Sequence, residues 1–275
     1  MTKIPADKPL LLLTNDDGIR SPGLWAAAEA LSAIGFVCVV APREQQSGSG
    51  RSMPQSSDGV LREEDVEVGG KIWKVYAVGG SPAQAVQHGL LELLPRPPDL
   101  VVAGINYGEN VSTSVTISGT IGAALEGAAA GVPALAVSQE TETHYHLSHS
   151  RDIDFSAAAH FTRYFSAALL RLGRLPDVDV LKVDVPIGAT PETPWRLTHL
   201  SRARYYIPVV GERRELRESG LLSYRVAAEG SGLEPGSDAH VLRVERQVAV
   251  TPLSLDMTSR VPFNELETAL RPSSS

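Results

Sequence analysis

A single cysteine, Cys38, is present in 275 residues. One thiol cannot close an intramolecular disulfide, and its setting in Phe36-Val37-Cys38-Val39-Val40 marks it as a core side chain. No apolar run approaches the roughly 20 residues that a transmembrane helix requires. Met1 to Lys8 lack the layout of a signal peptide, because the apolar run that follows at Leu10 is short and ends in acids. A cytoplasmic protein with no membrane partner is expected. Basic excess is also missing. The formal net charge is −7, whereas a nucleic-acid polymer calls for basic surface. Small phosphate esters remain open as partners wherever a metal or backbone amides supply local positive potential. No Gly-Lys-Ser or Gly-Lys-Thr occurs, which removes the phosphate-binding P-loop, and Gly48-Ser49-Gly50 lacks the rest of a dinucleotide fingerprint. Internal repeats and low-complexity segments are likewise absent from the sequence.

What is present reads as one α/β domain. Leu10 to Leu13 form an apolar run that ends abruptly in Thr14-Asn15-Asp16-Asp17-Gly18, the pattern of a strand buried on both faces. Ser21-Pro22 opens a helix that runs to about Ile34, and Phe36 to Val40 is the next strand. A polar loop from Pro42 to about Asp58 precedes a strand at Lys71–Val78, and Ser81-Pro82 starts a helix to about Leu94. Pro98 to Gly104 is a buried strand, Ser118 opens an Ala/Gly-rich helix to about Ala130, and Val132–Val137 is a further strand. A helix at 153–172 and a strand at Val178–Val185 complete the alternation. Repeated βαβ units of this length predict a doubly wound, mostly parallel, three-layer Rossmann-like sheet. Beyond Pro191 the runs shorten, as in Trp195-Arg196-Leu197-Thr198 and Val241 to Val250. They read as antiparallel strands or an extended arm. The expected division is a core at 9–195 and a C-terminal hairpin or arm at 196–265, within one domain spanning 1–275. The tail from Arg271 to Ser275 is expected to be disordered.

Polar clusters fall at the carboxyl ends of successive strands, where ligands bind in an open parallel sheet. They are Asn15-Asp16-Asp17-Gly18, Gln45-Gln46-Ser47-Gly48, Gly79-Gly80-Ser81-Pro82 and Gly104-Ile105-Asn106-Tyr107-Gly108. Two adjacent carboxylates repel unless a cation neutralises them. Asp16 and Asp17, with the Ser47 hydroxyl and the Asn106 amide oxygen, make an oxygen-only set suited to Mg²⁺, Mn²⁺ or Ca²⁺. The plainer alternative is an Asx-type turn. Ser118-Gly119-Thr120 precedes a helix, so its unpaired N–H groups form an anion site, or its hydroxyls simply cap the helix.

Taken in order, Asn15-Asp16-Asp17-Gly18, Gln46-Ser47-Gly48, Gly104-Ile105-Asn106-x-Gly108-x-Asn110, Ser118-Gly119-Thr120 and Glu126-Gly127 closely resemble the stationary-phase survival protein SurE family. The likeness covers about Pro9 to Val137. It continues more loosely through Val183-Asp184-Val185-Pro186 and Thr251-Pro252-Leu253. The resemblance implies a metal-dependent phosphatase acting on nucleoside 5′- and 3′-monophosphates and other small phosphomonoesters. It implies one divalent metal ion per subunit, Mg²⁺ or Mn²⁺, held by Asp16, Asp17, Ser47 and Asn106. Asn110 and Ser118-Gly119-Thr120 become phosphate contacts, and Asn15 is taken as a further substrate contact. It also implies a homodimer or homotetramer built through C-terminal elements from Leu197 onward. The chain departs from the family at Ile117, where an aromatic commonly stands, and at Ser81, where Thr is usual. It also departs at Lys182 and Asp184, which replace residues that are often Asn.

Two other functions compete. Gly79-Gly80-Ser81-Pro82-Ala83 approaches the nucleophile elbow of a serine hydrolase, but Pro82 lacks the N–H its oxyanion hole requires. A non-catalytic nucleotide-, metal- or carbohydrate-binding protein would lack metal-stimulated turnover. His144, His146 and His149 are a possible zinc cluster, read instead as a solvated loop with a potential role as a lid.

Overall fold

The structure is a computed structural model and describes residues 8–213, 215–227 and 232–271. Met1 to Asp7 and the tail after Arg271 lie outside those residues. Six parallel strands make the centre: β1 (Leu10–Thr14), β2 (Phe36–Pro42), β4 (Lys71–Val78), β5 (Leu100–Tyr107), β6 (Ala134–Gln139) and β7 (Val180–Val185). Three further strands complete the sheet: β3 (Leu61–Val68), β8 (Trp195–Leu197) and β11 (Val248–Leu253). The spatial order is β3-β4-β2-β1-β5-β6-β7-β11-β8. β3 and β11 run antiparallel to their inner neighbours, and β8 runs parallel to β11. β9 (Tyr206–Val210) and β10 (Leu222–Val226) form a separate antiparallel hairpin.

The leucine run explains the layers. Leu11 and Leu13 pack into one apolar cluster, with Leu24, Trp25 and Leu31 of α1 (Pro22–Ser32) and Phe161, Phe165 and Leu169 of α4 (Ser156–Leu172). Leu12 points the other way, into a cluster with Val86 of α2 (Pro82–His88) and Ile121, Ala123 and Ala124 of α3 (Gly119–Ala129). Alternation across a strand covered on both faces thus yields an unbroken apolar run. The small residues of α3 permit close docking. A Cβ at Gly127 would stand 2.6 Å from the Val101 side chain.

Several local expectations are corrected. Ser21 occupies the N-cap of α1, but its buried hydroxyl has no partner, so Pro22 at the first turn is the operative start signal. α2 ends at His88, and residues Gly89–Leu93 continue as a single wider turn. The sequence pattern predicts no strand at β3. Its charged sequence, Leu61-Arg62-Glu63-Glu64-Asp65, suits an exposed sheet edge, where only Val66 is buried. The apolar run at Val241 to Val244 predicts a strand, yet Asp238–Arg243 is a helix, α5, capped by the Ser237 hydroxyl. A short apolar run does not distinguish the two periods by itself. Val241, Val248 and Val250 are buried within this chain, and the sheet extends past residue 195.

Candidate active site

The site is built at the carboxyl end of β1. Among the described residues the Asn15 side chain hydrogen-bonds only within its own turn: its amide donates to the Gly18 carbonyl at 3.0 Å and accepts the Gly18 N–H at 3.2 Å. This Asx turn presents Asp16 and Asp17, which are 5% and 1% exposed. The turn expected as the plainer alternative is therefore real, and it carries the acids. Burial pushes Asp16 above the ordinary carboxylate range. Burial and then the charge of Asp16 push Asp17 well above it.

Each acid is gripped by a loop from another strand. The Gln46 N–H donates to the Asp16 carbonyl at 2.7 Å, which brings the Ser47-bearing loop after β2 onto the acids. The Tyr107 N–H donates to Asp17 Oδ2 at 3.1 Å, which fixes the neighbouring Asn106. Asn106 Nδ2 donates to the Tyr107 and Gly108 carbonyls at 3.2 and 2.7 Å, which leaves the amide oxygen without a hydrogen bond among the described residues. Ser47 is exposed, and its hydroxyl makes no hydrogen bond among the described residues.

Ser118-Gly119-Thr120 closes the site from the start of α3. The Ser118 hydroxyl caps the helix by accepting the Ile121 N–H at 3.2 Å. The Thr120 hydroxyl donates to Asp16 Oδ1, and the Gly119 and Thr120 amides also favour the ionised form of Asp16. The helix start therefore faces a carboxylate of the protein itself. Only glycine fits at 119. A Cβ there would stand 2.7 Å from Asp16 Cβ and 2.6 Å from Ser49 Oγ. That Ser49 hydroxyl is buried and unpartnered among the described residues.

Asn110 stands apart from the acids' hydrogen bonds. Its amide donates to Ser138 Oγ at 2.9 Å and its backbone N–H to Asp184 Oδ1 at 2.7 Å. Asn106, Ser138 and Asp184 are in register across β5, β6 and β7, and form a polar row at the carboxyl ends of these strands.

Sequence reasoning missed several supporting residues. Gln45 Nε2 bridges Asp17 Oδ1 at 2.9 Å and the His146 carbonyl at 2.8 Å, and His149 Nε2 donates to the Asp17 carbonyl at 2.8 Å. The solvated-loop reading of the histidines fails at His146, which is 7% exposed and bonded through Nδ1 to the Tyr224 hydroxyl at 2.8 Å. Among the described residues no group of three His, Cys, Asp or Glu side chains gathers as a metal centre. The three histidines face different partners. Ser81, the rival nucleophile, is engaged in a capping box: its hydroxyl accepts the Gln84 N–H at 3.1 Å and donates to the Ser52 carbonyl at 2.6 Å.

Two buried, mutually repelling carboxylates, a free hydroxyl, a free amide oxygen and an orphaned Ser49 hydroxyl fit a hard divalent cation and its waters. Comparison with known proteins identifies the family. A family model described as "Survival protein SurE" matches residues 11–207. The chain belongs to the SurE family. A Thermococcus kodakarensis relative described as "5'-nucleotidase SurE" is 43% identical, over 94% of this chain and 98% of its own length. A Methanocella arvoryzae relative of the same description is 41% identical, over 95% and 97%. The crystal structure of the SurE protein from Aquifex aeolicus superposes with a TM-score of 0.74 at 29% identity, covering 95% of this chain and 98% of that one. The SurE likeness therefore extends well past Val137, into the part of the chain where the motifs are sparse.

Proposed function

We propose that this chain is a metal-dependent phosphomonoesterase that hydrolyses nucleoside 5′- and 3′-monophosphates to nucleoside and phosphate. The observation that carries the reading is the buried Asp16-Asp17 pair, onto which the Ser47 and Asn106 loops are tied. Relatives described as 5′-nucleotidases support the substrate class.

Asp16, Asp17, the Ser47 hydroxyl and the Asn106 amide oxygen would hold one Mg²⁺ or Mn²⁺ per subunit. When bound, such a cation supplies an acidified water and neutralises charge developing on phosphorus. The chain's own groups set up that chemistry. Thr120 orients Asp16 by donating to one of its oxygens, while Gln45 and the Tyr107 N–H orient Asp17. Ser118-Gly119-Thr120 and Asn110 are read as the phosphate side of the site. Ile117 is 60% exposed beside that turn, where it borders the approach of substrate.

The test is direct. Chelation should abolish hydrolysis of p-nitrophenyl phosphate and of nucleoside monophosphates, and Mn²⁺ or Mg²⁺ should restore it. Asp17→Asn should lower kcat by several orders of magnitude in a folded protein, since the pair acts as a unit. Full turnover in metal-stripped protein, or wild-type turnover by the variant, overturns the reading.

A further inference from the structure

Asn110 to Ser112 is a loop whose backbone cannot pair with itself. Ser112 has φ of 60°, a conformation uncommon for a residue that carries a side chain. Two buried carboxylates supply the missing acceptors. Asp184 Oδ1 accepts the Asn110 N–H at 2.7 Å, and Asp238 Oδ2 accepts the Ser112 N–H at 2.9 Å. Between them lies Lys182, whose Nζ contacts Asp184 Oδ2 and stands 3.1 Å from Asp238 Oδ2. All three side chains are wholly buried. Asp238 Oδ1 also accepts the Ser201 N–H at 3.0 Å, so the same carboxylate holds a second loop.

Three buried charges are a poor way to gain stability, because well-packed apolar residues usually serve as well or better. Their value here is directional. Backbone N–H groups in an irregular buried loop require acceptors at fixed points, and an ammonium between two carboxylates keeps both charges tolerable in the core.

We propose that Asp184 and Asp238 are positioning residues whose oxygens clamp the Asn110–Ser112 loop, with Lys182 between them making both charges tolerable in the core, so that the Asn110 side chain is preset for a phosphate group. This inference rests on the phosphomonoesterase reading. Ser138 belongs to the same device, since its hydroxyl accepts from Asn110 Nδ2.

Two double variants separate positioning from bulk stability. Lys182→Met with Asp184→Asn discharges the pair but keeps an oxygen for the Asn110 N–H. Lys182→Met with Asp184→Leu keeps the same branching and number of heavy atoms and removes that oxygen. Asp238 retains N–H donors from Ser112, Ser201 and Ala239 in both. The Asn variant should keep near-wild-type kcat/KM for p-nitrophenyl phosphate. The Leu variant should lose on the order of tenfold, with inhibition by inorganic phosphate weakened in parallel. Hydrogen exchange in peptides spanning 108–113 should accelerate only in the Leu variant. Ser138→Ala, which leaves the ion cluster intact, should weaken phosphate inhibition in the same direction and serves if the Leu variant does not fold. Equal kcat/KM, phosphate inhibition and exchange in the two doubles, or unchanged phosphate inhibition in Ser138→Ala, overturns the clamp while leaving the phosphatase reading standing. A wild-type protein that neither hydrolyses nor binds phosphate, with exchange still faster in the Leu variant, overturns the function and the role assigned to Asn110 together.

Discussion

Thr120 illustrates how a single hydroxyl is redefined by its neighbours. From sequence it is a phosphate contact or a helix cap, whereas in the fold it donates to Asp16 and the cap is Ser118. Thr120→Val keeps the volume and removes a hydrogen bond to a charged group, worth on the order of 1.5–3 kcal/mol. The expected outcome is a fall in kcat of at least tenfold and a higher metal concentration for half-activation, with the circular dichroism spectrum unchanged. Unaltered kinetics would leave Thr120 no part in the site. Glu109, next to Asn110, offers a second residue-scale test. Burial raises its carboxyl from 4.5 to about 7, against the opposing hydrogen bond from Tyr205 and the charge of Arg243, with Glu140 adding to the rise. The folded protein binds this proton more tightly than the unfolded chain does, so Glu109 lowers stability progressively as pH rises from about 4.5 to about 7. The effect is on the order of 3 kcal/mol over that window. Glu109→Gln keeps an acceptor for Tyr205 and does not titrate. Urea unfolding at pH 5 and pH 8 should therefore show the variant gaining on wild type at the higher pH. A difference independent of pH would contradict this.

At the scale of elements, the loops after β1, β2 and β5 and the start of α3 meet because parallel strands deliver their carboxyl ends to one edge. The helix starts there are of two kinds. α3 begins against Asp16, and its cap shares the turn that faces the site. α2 begins with a closed capping box, Ser81 with Gln84, whose hydrogen bonds run to Ser52, Ser57 and Pro54 in the loop after β2. Ser81→Ala should therefore cost about 1 kcal/mol in stability, the usual value of a lost N-cap, and leave phosphatase turnover unchanged. Thermal unfolding and steady-state kinetics on one preparation check both halves. Loss of turnover in a folded Ser81→Ala protein would revive the serine-hydrolase alternative.

For the whole molecule, the C-terminal region divides differently from a simple arm. β8 and β11 join the main sheet, and α5 buries Val241 and Leu242, so these parts complete the fold of one chain. The β9–β10 hairpin is the exposed remainder. Val210 and Leu222 are directly paired and 65% and 71% exposed, and Leu221 is 82% exposed. The helix α6 (Phe263–Leu270) has no buried residue and carries Phe263 and Leu270 at 66% and 74% exposure. Apolar surface of this kind on a hairpin and a helix is what a second subunit would cover, which supports a homodimer or homotetramer. Sedimentation should show a species larger than the 29.3 kDa chain. Val210→Lys with Leu222→Glu sets opposite charges across the hairpin, which preserves its pairing, and should shift the assembly toward monomer. A compact monomer of the wild-type chain at micromolar concentration would exclude the assembly. Among the described residues, no helix is long and apolar enough to cross a membrane.

What the chain announces by itself is local or periodic. The four leucines ending in Asn15-Asp16-Asp17 specify a strand covered on both faces and an acidic turn at its carboxyl end, because side-chain alternation and turn chemistry operate over a few residues. The loops that carry Ser47 and Asn106 are legible for the same reason, since their motifs sit directly after recognisable strands. The clamp is not. Asp238 lies 126 residues from Ser112 in sequence and meets it only because α5 packs beside β7. Lys182 reads as a misplaced charge in a core strand until Asp184 and Asp238 are seen on either side of it. His146 looks solvated in its polar loop until Tyr224 arrives from the hairpin. The charged β3 strand shows no apolar period, and pairing with β4 alone makes it a strand. Hydrogen bonds and ion pairs between distant segments leave no mark on the sequence around either partner. Only the packing of the finished sheet decides which carboxylate answers which N–H.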